Sequence, residues 1–415
     1  MTETHDDEDG PPTPPAGDVN RYRNPSPEFD YERRIAGLAD RIDADAAVLA
    51  HPLDVVYYAG TGQPANLCVP AGAPGDARLF VRRAMRFAKD EVGLPAGQFR
   101  KGGLSDVADH LGDVDTFATE LDVVPASLVG KLESVLGAEA VDVSPDVLAQ
   151  RSVKSDAEVD LLRSAARKYE AAHEGILRRA APGVTEKEVA GADGDGIVSA
   201  GVDDNVFFRR WDARLPAAGI IASGDNLPMV SGHAMTVTGV GASRSMPWGP
   251  SQRELQRGDL IVADLGLNYA GYHGDVARTY VVGSASDAQR ERFDLVCDIQ
   301  AAAVEALGPG EPAENAYLAA RERAEQSGVE HLLCGYGEMQ APYIGHSIGI
   351  EIDEPPTLMA GVEAPLEPGM VVTVEPKLID PDRGAVMVED DYLITDSGVE
   401  RLSTAPRELF EVSAE

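Results

Sequence analysis

The chain has 415 residues, 43% of them hydrophobic, which is enough for two or three domains with real cores and excludes a disordered or fibrous protein. Seventy acidic residues face 36 basic ones, only seven of them lysine, and the formal net charge is −34. A surface of that sign repels nucleic acid and anionic lipid, excluding both as partners, and it suits a salt-rich cytoplasm where screening relieves self-repulsion.

The N-terminus is acidic (Asp6, Asp7, Glu8, Asp9) and has no apolar core, so it does not read as a secretory leader. With Pro11, Pro12, Pro14 and Pro15 it predicts a flexible tail over residues 1 to about 27. An amphipathic helix is expected from Tyr31 to about Ile42. Short apolar runs follow at 46–50, 55–59, 67–70 and 79–81, alternating with helical stretches at 84–91 and 104–111. That alternation predicts a small α/β domain over 28–153.

A new unit starts near residue 154. Ser155 and Glu158 form a capping box ahead of an apolar stripe (Val159, Leu162, Ala166, Tyr169, Ala172, Ile176) that stops at Pro182-Gly183. Thr185 and Glu188 then open a second helix. A helix over about 287–307, a break at Gly308-Pro309-Gly310 and another helix over 313–326 repeat the pattern about 127 residues later. Each copy precedes a strand pair, 260–264 with 275–282 and 370–375 with 385–394. A duplicated α-α-β-β unit predicts one curved antiparallel sheet with helices on its outer face, an α+β fold over 154–415. Cys68, Cys297 and Cys334 lie far apart and form neither a disulfide framework nor a metal-type spacing, as suits a reducing cytoplasm. No apolar run reaches the roughly 18 residues needed to span a membrane.

Acidic residues stand inside the apolar strand runs: Asp264 ends Leu260-Ile-Val-Ala-Asp264, Glu375 follows Val371-Val-Thr-Val, and Glu389 follows Ala385-Val-Met-Val. One such residue is ordinarily a strand-end carboxylate satisfied by amides or an arginine, but several together need cations or protons. His346 adds an imidazole between Gly345 and Gly349. Asp264, Asp275, His346, Glu375 and Glu389 follow one another with ten, 70, 28 and 13 intervening residues.

With Gly258-Asp-Leu-Ile-Val-Ala-Asp264-Leu-Gly, Gly271-Tyr-His-Gly-Asp275-Val-Ala-Arg278-Thr, Gly345-His346-Ser-Ile-Gly349, Val374-Glu375-Pro376 and Val388-Glu389-Asp390, the chain resembles the creatinase, prolidase and methionine aminopeptidase superfamily. Tyr57-Tyr58-Ala-Gly60-Thr and Arg151-Ser-Val-Lys154-Ser resemble its longer, Xaa-Pro aminopeptidase and dipeptidase members. The resemblance implies a pita-bread domain behind the smaller one, a homodimer, and two divalent metals held by Asp264, Asp275, His346, Glu375 and Glu389. Glu375 would also help move protons. Four carboxylates and a neutral imidazole would carry about −4, matching two divalent ions. Oxygen-rich ligation favours manganese, with cobalt, iron(II) or zinc as alternatives. Two such ions activate water for hydrolysis of a short peptide or another small substrate.

The sequence also departs from this pattern. Asp353 stands where peptidase members carry a second histidine that steadies the carbonyl oxygen; an ionised aspartate cannot donate that hydrogen bond, so it is either protonated or holds a substrate ammonium. Met387 stands where many prolidase-like members have arginine. His233 is the candidate for the upstream histidine, 31 residues before Asp264, with Pro247-Trp248-Gly249-Pro250 between them as candidate pocket wall. His273 is read as structural and Arg278 as an ion-pair partner near Asp275. An Xaa-Pro peptidase is therefore the first expectation. A creatinase-like enzyme acting on a small metabolite is the second, favoured by Asp353, and a non-catalytic binding module the third.

Overall fold

The computed structural model describes residues 23–203, 205–216, 219–232 and 236–414. The N-terminal unit is a six-stranded sheet, β1 (Ala46–Leu49), β2 (Ala65–Pro70), β3 (Arg78–Val81), β4 (Phe99–Lys101), β5 (Thr116–Thr119) and β6 (Glu139–Asp142), in the order β4-β3-β2-β1-β5-β6. The two-residue period of a strand sends alternate side chains to opposite faces. Ala47, Leu49, Leu67, Val69, Leu79 and Val81 pack into one core, while Val48, Cys68, Phe80 and Phe117 pack into the other.

Two local expectations change here. The apolar run at 55–59 belongs to a helix, Pro52–Ala59. Proline suits its first turn, and Gly60 ends it in the left-handed region at φ 81°. Of the expected tail, residues 23–27 are described and touch the body: Arg23 pairs with Glu91 at 2.7 Å and the Asn24 side chain donates to the Gly201 carbonyl at 2.6 Å. An arginine and an asparagine gain partners there that the preceding acidic run does not offer. Residues 1–22 lie outside the described residues.

In the C-terminal unit the expected stripe over 159–176 divides into helices Asp156–Arg167 and Tyr169–Arg179, which meet at Lys168. The second of these crosses helix Glu186–Ser199 at Gly175 and Gly196, where an added Cβ would strike the Ala192 and Ala171 carbonyls respectively. Helices Asp287–Glu305 and Glu314–Gln326 form the second pair. Strands β7 (Asn205–Val206) and β8 (Leu215–Pro216) close a loop over 207–214. Then come β9 (Ile220–Ser223), β10 (Leu260–Tyr269), β11 (Tyr272–Val282), β12 (Tyr343–Ser347), β13 (Glu354–Met359), β14 (Val371–Val374), β15 (Lys377–Asp380), β16 (Gly384–Met387), β17 (Asp390–Thr395), β18 (Gly398–Arg401) and β19 (Phe410–Val412).

The single curved sheet expected from the repeat is divided by hydrogen bonding into a four-stranded sheet, β19-β11-β10-β9, a five-stranded sheet, β13-β12-β14-β17-β18, and the pair β15-β16. The seam runs beside Glu389: the chain leaves the β16 ladder and the Glu389 N–H donates to the Ala277 carbonyl of β11 at 3.1 Å, tying the halves together.

A buried ionic network joins the two units. Arg151 reaches Asp54 (2.7 Å), Glu351 (2.8 Å) and Glu354 (2.5 Å). Arg209 pairs with Asp54 at 3.0 Å, and Lys154 pairs with Glu354 at 3.3 Å. Three carboxylates thus meet three cations, each satisfied by more than one partner. Burial alone would raise the Glu354 pKa, but Arg151 and Lys154 outweigh it and hold it at about 2. Arg151→Ala would leave Asp54, Glu351 and Glu354 buried with too little positive charge. Chemical denaturation should therefore show a loss of about 3–5 kcal/mol; a loss within about 0.5 kcal/mol would mean that the network does not stabilise the junction.

Candidate metal centre

The antiparallel register of β10 and β11 builds half of the centre. Leu260 faces Val281, Val262 faces Thr279, Asp264 faces Ala277 and Gly266 faces Asp275. Leu260, Val262, Ala277 and Val281 lie on the inner face in one core, while Ile261, Ala263, Tyr280 and Val282 pack outward in another. Asp264 and Asp275 therefore project from the inner face as diagonal neighbours, close enough for their side chains to interact. Gly266 keeps the space beside them open for the opposite wall, since a Cβ there would strike Ile352 and Val206.

The other half comes from three separate places. His346 lies on β12, Glu375 directly follows β14, and Glu389 sits in the break between β16 and β17. Ligand atoms of Asp275, His346 and Glu389 all lie within 4.8 Å of one another. His346 Nε2 stands 3.7 Å from an oxygen of Asp275 and 3.7 Å from one of Glu375. Its Nδ1 lies 3.1 Å from the Ser347 carbonyl, which makes Nδ1 the donor of a neutral ring and leaves the Nε2 lone pair facing the carboxylates. All five residues line one cavity of about 420 Å³.

Hydroxyls orient these carboxylates. Thr236 donates to Asp264 at 2.7 Å and Thr373 donates to Glu389 at 2.6 Å. Tyr343 Oη and Lys377 Nζ donate to the two oxygens of Glu375. Burial works against the Lys377 ammonium, but the Glu375 carboxylate outweighs it, and the lysine pKa stands above its ordinary value.

Burial and then the neighbouring Glu375 raise the Asp264 pKa to about 6. Asp275 is pushed well above the carboxylate range by burial and by Asp264 and Glu375, and Glu389 by burial, Asp275 and Glu375. Carboxylates so arranged must share protons or take up cations. Glu389 Oε2 is buried without a hydrogen-bond partner. An orphaned oxygen aimed at the group around His346 fits a divalent cation, and the oxygen-dominated donor set suits hard or borderline ions.

Among the other sequence-predicted positions, Asp353 and Trp248 line the same cavity, Asp353 as an exposed side chain. Met387 is fully buried and its sulfur accepts from Thr236 at 3.6 Å. His273 is structural: its Nδ1 donates to the Gly349 carbonyl, its Nε2 accepts from the Phe207 N–H at 3.1 Å, and burial first of all lowers its pKa to about 4. Arg278 pairs with Asp390 at 2.7 Å, away from the Asp275 carboxylate, and donates to the Glu389 and Ala405 carbonyls. His233 lies outside the described residues.

Sequence reasoning missed Tyr343, Lys377, Thr373 and Thr236. Lys377 left a trace: it is one of only seven lysines and stands in an apolar run two residues after Glu375.

Because Asp264 keeps its proton up to about pH 6, an entering cation must displace that proton at lower pH. Calorimetric titration of metal-free protein should therefore show manganese affinity falling as pH drops from about 7.5 to about 5.5, with more protons released per ion at the lower value. Affinity independent of pH over that window would refute the carboxyl assignment.

Residues 160–396 match the description of metallopeptidase family M24, and residues 33–153 match that of the creatinase/prolidase N-terminal domain. The Xaa-Pro dipeptidase of Pyrococcus furiosus is 29% identical over 91% of this chain and 98% of its own length. The probable dipeptidase PepE of Mycobacterium tuberculosis is 30% identical over 92% of this chain and 96% of its own. Among solved structures, the prolidase from Pyrococcus furiosus superposes with a TM-score of 0.72 at 27% identity, covering 88% of this chain and 97% of that one. Dipeptidase PepE from Mycobacterium ulcerans gives 0.74 at 27% identity, covering 93% and 100%. With its strands, helices and inward-facing carboxylates so arranged, the chain belongs to metallopeptidase family M24, whose members imply divalent metal ions, and carries the creatinase/prolidase domain ahead of the peptidase domain.

Proposed function

We propose that the protein is an Xaa-Pro dipeptidase that cleaves short peptides with two divalent ions held by Asp264, Asp275, His346, Glu375 and Glu389. The observation that carries this reading is the convergence of those five side chains on one wall of a cavity whose volume of about 420 Å³ suits a dipeptide. When bound, the ions supply Lewis-acid polarisation of the scissile carbonyl and acidify a water. Manganese is the first candidate, with cobalt, iron(II) and zinc as substitutes.

The chain's own residues do the rest. Glu375, steadied by Tyr343 and Lys377, receives the proton of the attacking water and returns it to the leaving amine. Phe208, Trp248 and Ile352 offer apolar walls, and Arg210 and Arg214 on the same cavity supply positive charge for the free carboxylate of a short peptide. Asp353 holds the substrate ammonium, the role open to an ionised carboxylate on that wall. His233 remains assigned beside the scissile bond as the upstream histidine.

Dimerisation, a reducing cytoplasm and high salt complete the proposal. Trp211, 87% exposed in the loop that carries Arg210, is suited to burial against a second copy, where the N-terminal unit of that copy would close the cavity. The net charge of −34 and the seven lysines fit a salt-rich medium. Among the described residues, no helix is long and apolar enough to cross a membrane.

Purified protein assayed in high salt on a panel of Xaa-Pro dipeptides should be silent after chelation and recover with manganese or cobalt. Silence with two ions bound per chain would overturn the substrate assignment. Asp264→Asn and Glu389→Gln should each lower both metal content and turnover at least about 100-fold, since even groups behind the ligands are worth 10- to 100-fold. Asp353→Asn should raise KM about tenfold or more with little change in kcat, as expected for a lost contact to a charged ground-state group. A drop in kcat alone would assign Asp353 to the chemical step.

A further inference from the structure

The ligand set carries more negative charge than the protein around it balances, and one cation is built against it. Lys377 opens β15 with its side chain fully buried, and its Nζ forms an ion pair with Glu375 Oε2. The ammonium also lies 5.3 Å from the centre of the Tyr343 ring, whose hydroxyl donates to the other Glu375 oxygen. Both oxygens of Glu375 are therefore engaged from behind, away from the cavity. Directly across the β15–β16 ladder from Lys377 stands Met387, apolar and buried. Arg278, although close by, is committed to Asp390.

The five residues divide unevenly. Asp275, His346 and Glu389 form the compact group, with ligand atoms within 4.8 Å of one another. Asp264 and Glu375 stand outside it, and of these two Glu375 carries the ammonium. Four carboxylates and a neutral imidazole have a formal charge of −4, which Lys377 lowers to −3. After one divalent ion settles in the compact group, the net charge drawing a second is −1 instead of −2. The second ion also meets a fixed positive charge in a buried, weakly screened site, next to a carboxylate whose lone pairs are partly occupied.

We infer that Lys377 is a built-in counter-cation that makes the two metal positions unequal, weakening the one completed by Glu375 and leaving the one at Asp275, His346 and Glu389 tight. Lys377 is a positioning residue, acting through Glu375. The inference rests on the two-metal reading and adds to it an order of filling and a residue that sets it.

Metal-free wild type, Lys377→Met and Lys377→Arg are titrated with manganese by calorimetry, with bound metal counted by elemental analysis. The wild type should take its first ion at least about 100-fold more tightly than its second, the effect of a few kcal/mol of added repulsion. Lys377→Met should tighten the second step at least about tenfold and leave the first within about threefold, while Lys377→Arg, which keeps the charge, should behave as wild type. Two wild-type steps within about tenfold of each other overturn the inference, whether or not Lys377→Met folds. So does a Lys377→Met protein in which both steps weaken together, because the lysine then only supports Glu375. A single ion per chain in both wild type and Lys377→Met would overturn the two-metal reading itself, a result distinguishable from two equal steps.

Discussion

Like-charge repulsion among Asp264, Asp275, Glu375 and Glu389 is the constraint around which the rest of the C-terminal unit is built. Left in water, four carboxylates would move apart; here each is fixed by strand ladders and short hydroxyl contacts that cannot relax independently. The repulsion therefore appears as retained protons, with Asp264 titrating near 6 and Asp275 and Glu389 higher still. The junction network makes a useful contrast. There Asp54, Glu351 and Glu354 meet Arg151, Lys154 and Arg209, charge is balanced, and Glu354 ionises at about 2. Two equally buried carboxylate clusters in one molecule thus differ in whether the protein supplies the cations. The cluster it leaves unbalanced is the one facing a cavity.

Strand alternation makes that arrangement possible without sacrificing the core. One face of β10 and β11 buries Ile261, Ala263, Tyr280 and Val282 against the helices, while the other carries Val262 and Val281 into the central core and Asp264 and Asp275 into the cavity. A shift of one residue in that ladder would bury both aspartates against the outer helices and expose the apolar residues to the cavity. The ten-pair register from Leu260–Val281 to Tyr269–Tyr272 is thus under selection from packing and from the centre at once.

Much of this was legible in the sequence because a carboxylate inside an apolar β-run is costly enough to be conspicuous. The five ligand candidates, the capping boxes at Ser155 and Thr185 and the paired helices could all be read from pattern. Other features required tertiary information. The apolar run at 55–59 is too short for periodicity to separate helix from strand, and Gly60 decided it. The seam at Glu389 was hidden because Ala385 to Ile394 reads as one strand. A ligand there needs the chain to leave the β16 ladder, and the Ala277 carbonyl satisfies the freed N–H. Lys377 and Tyr343 were invisible as a pair, since 33 intervening residues separate two side chains that meet on one carboxylate.

The same logic explains how a distant domain can set the geometry of the cavity. In the segment 349–354, Gly349 accepts from the buried His273, Ile352 donates to the Phe207 carbonyl at 2.9 Å, and Glu351 and Glu354 are gripped by Arg151. Asp353 alone among residues 349–354 is left exposed to the cavity. Its position is therefore inherited from contacts on either side of it, and those contacts run through Arg151 to Asp54 of the N-terminal unit. The β7–β8 loop belongs to the same arrangement, because Arg209 pairs with Asp54 while the adjacent Arg210 lines the cavity. Two cavity walls of opposite charge, Asp353 on one and Arg210 and Arg214 on the other, are thus tied to a single buried arginine at the domain junction. Their spacing, which decides the length of zwitterion that fits between them, is a property of how the two domains pack rather than of either domain alone.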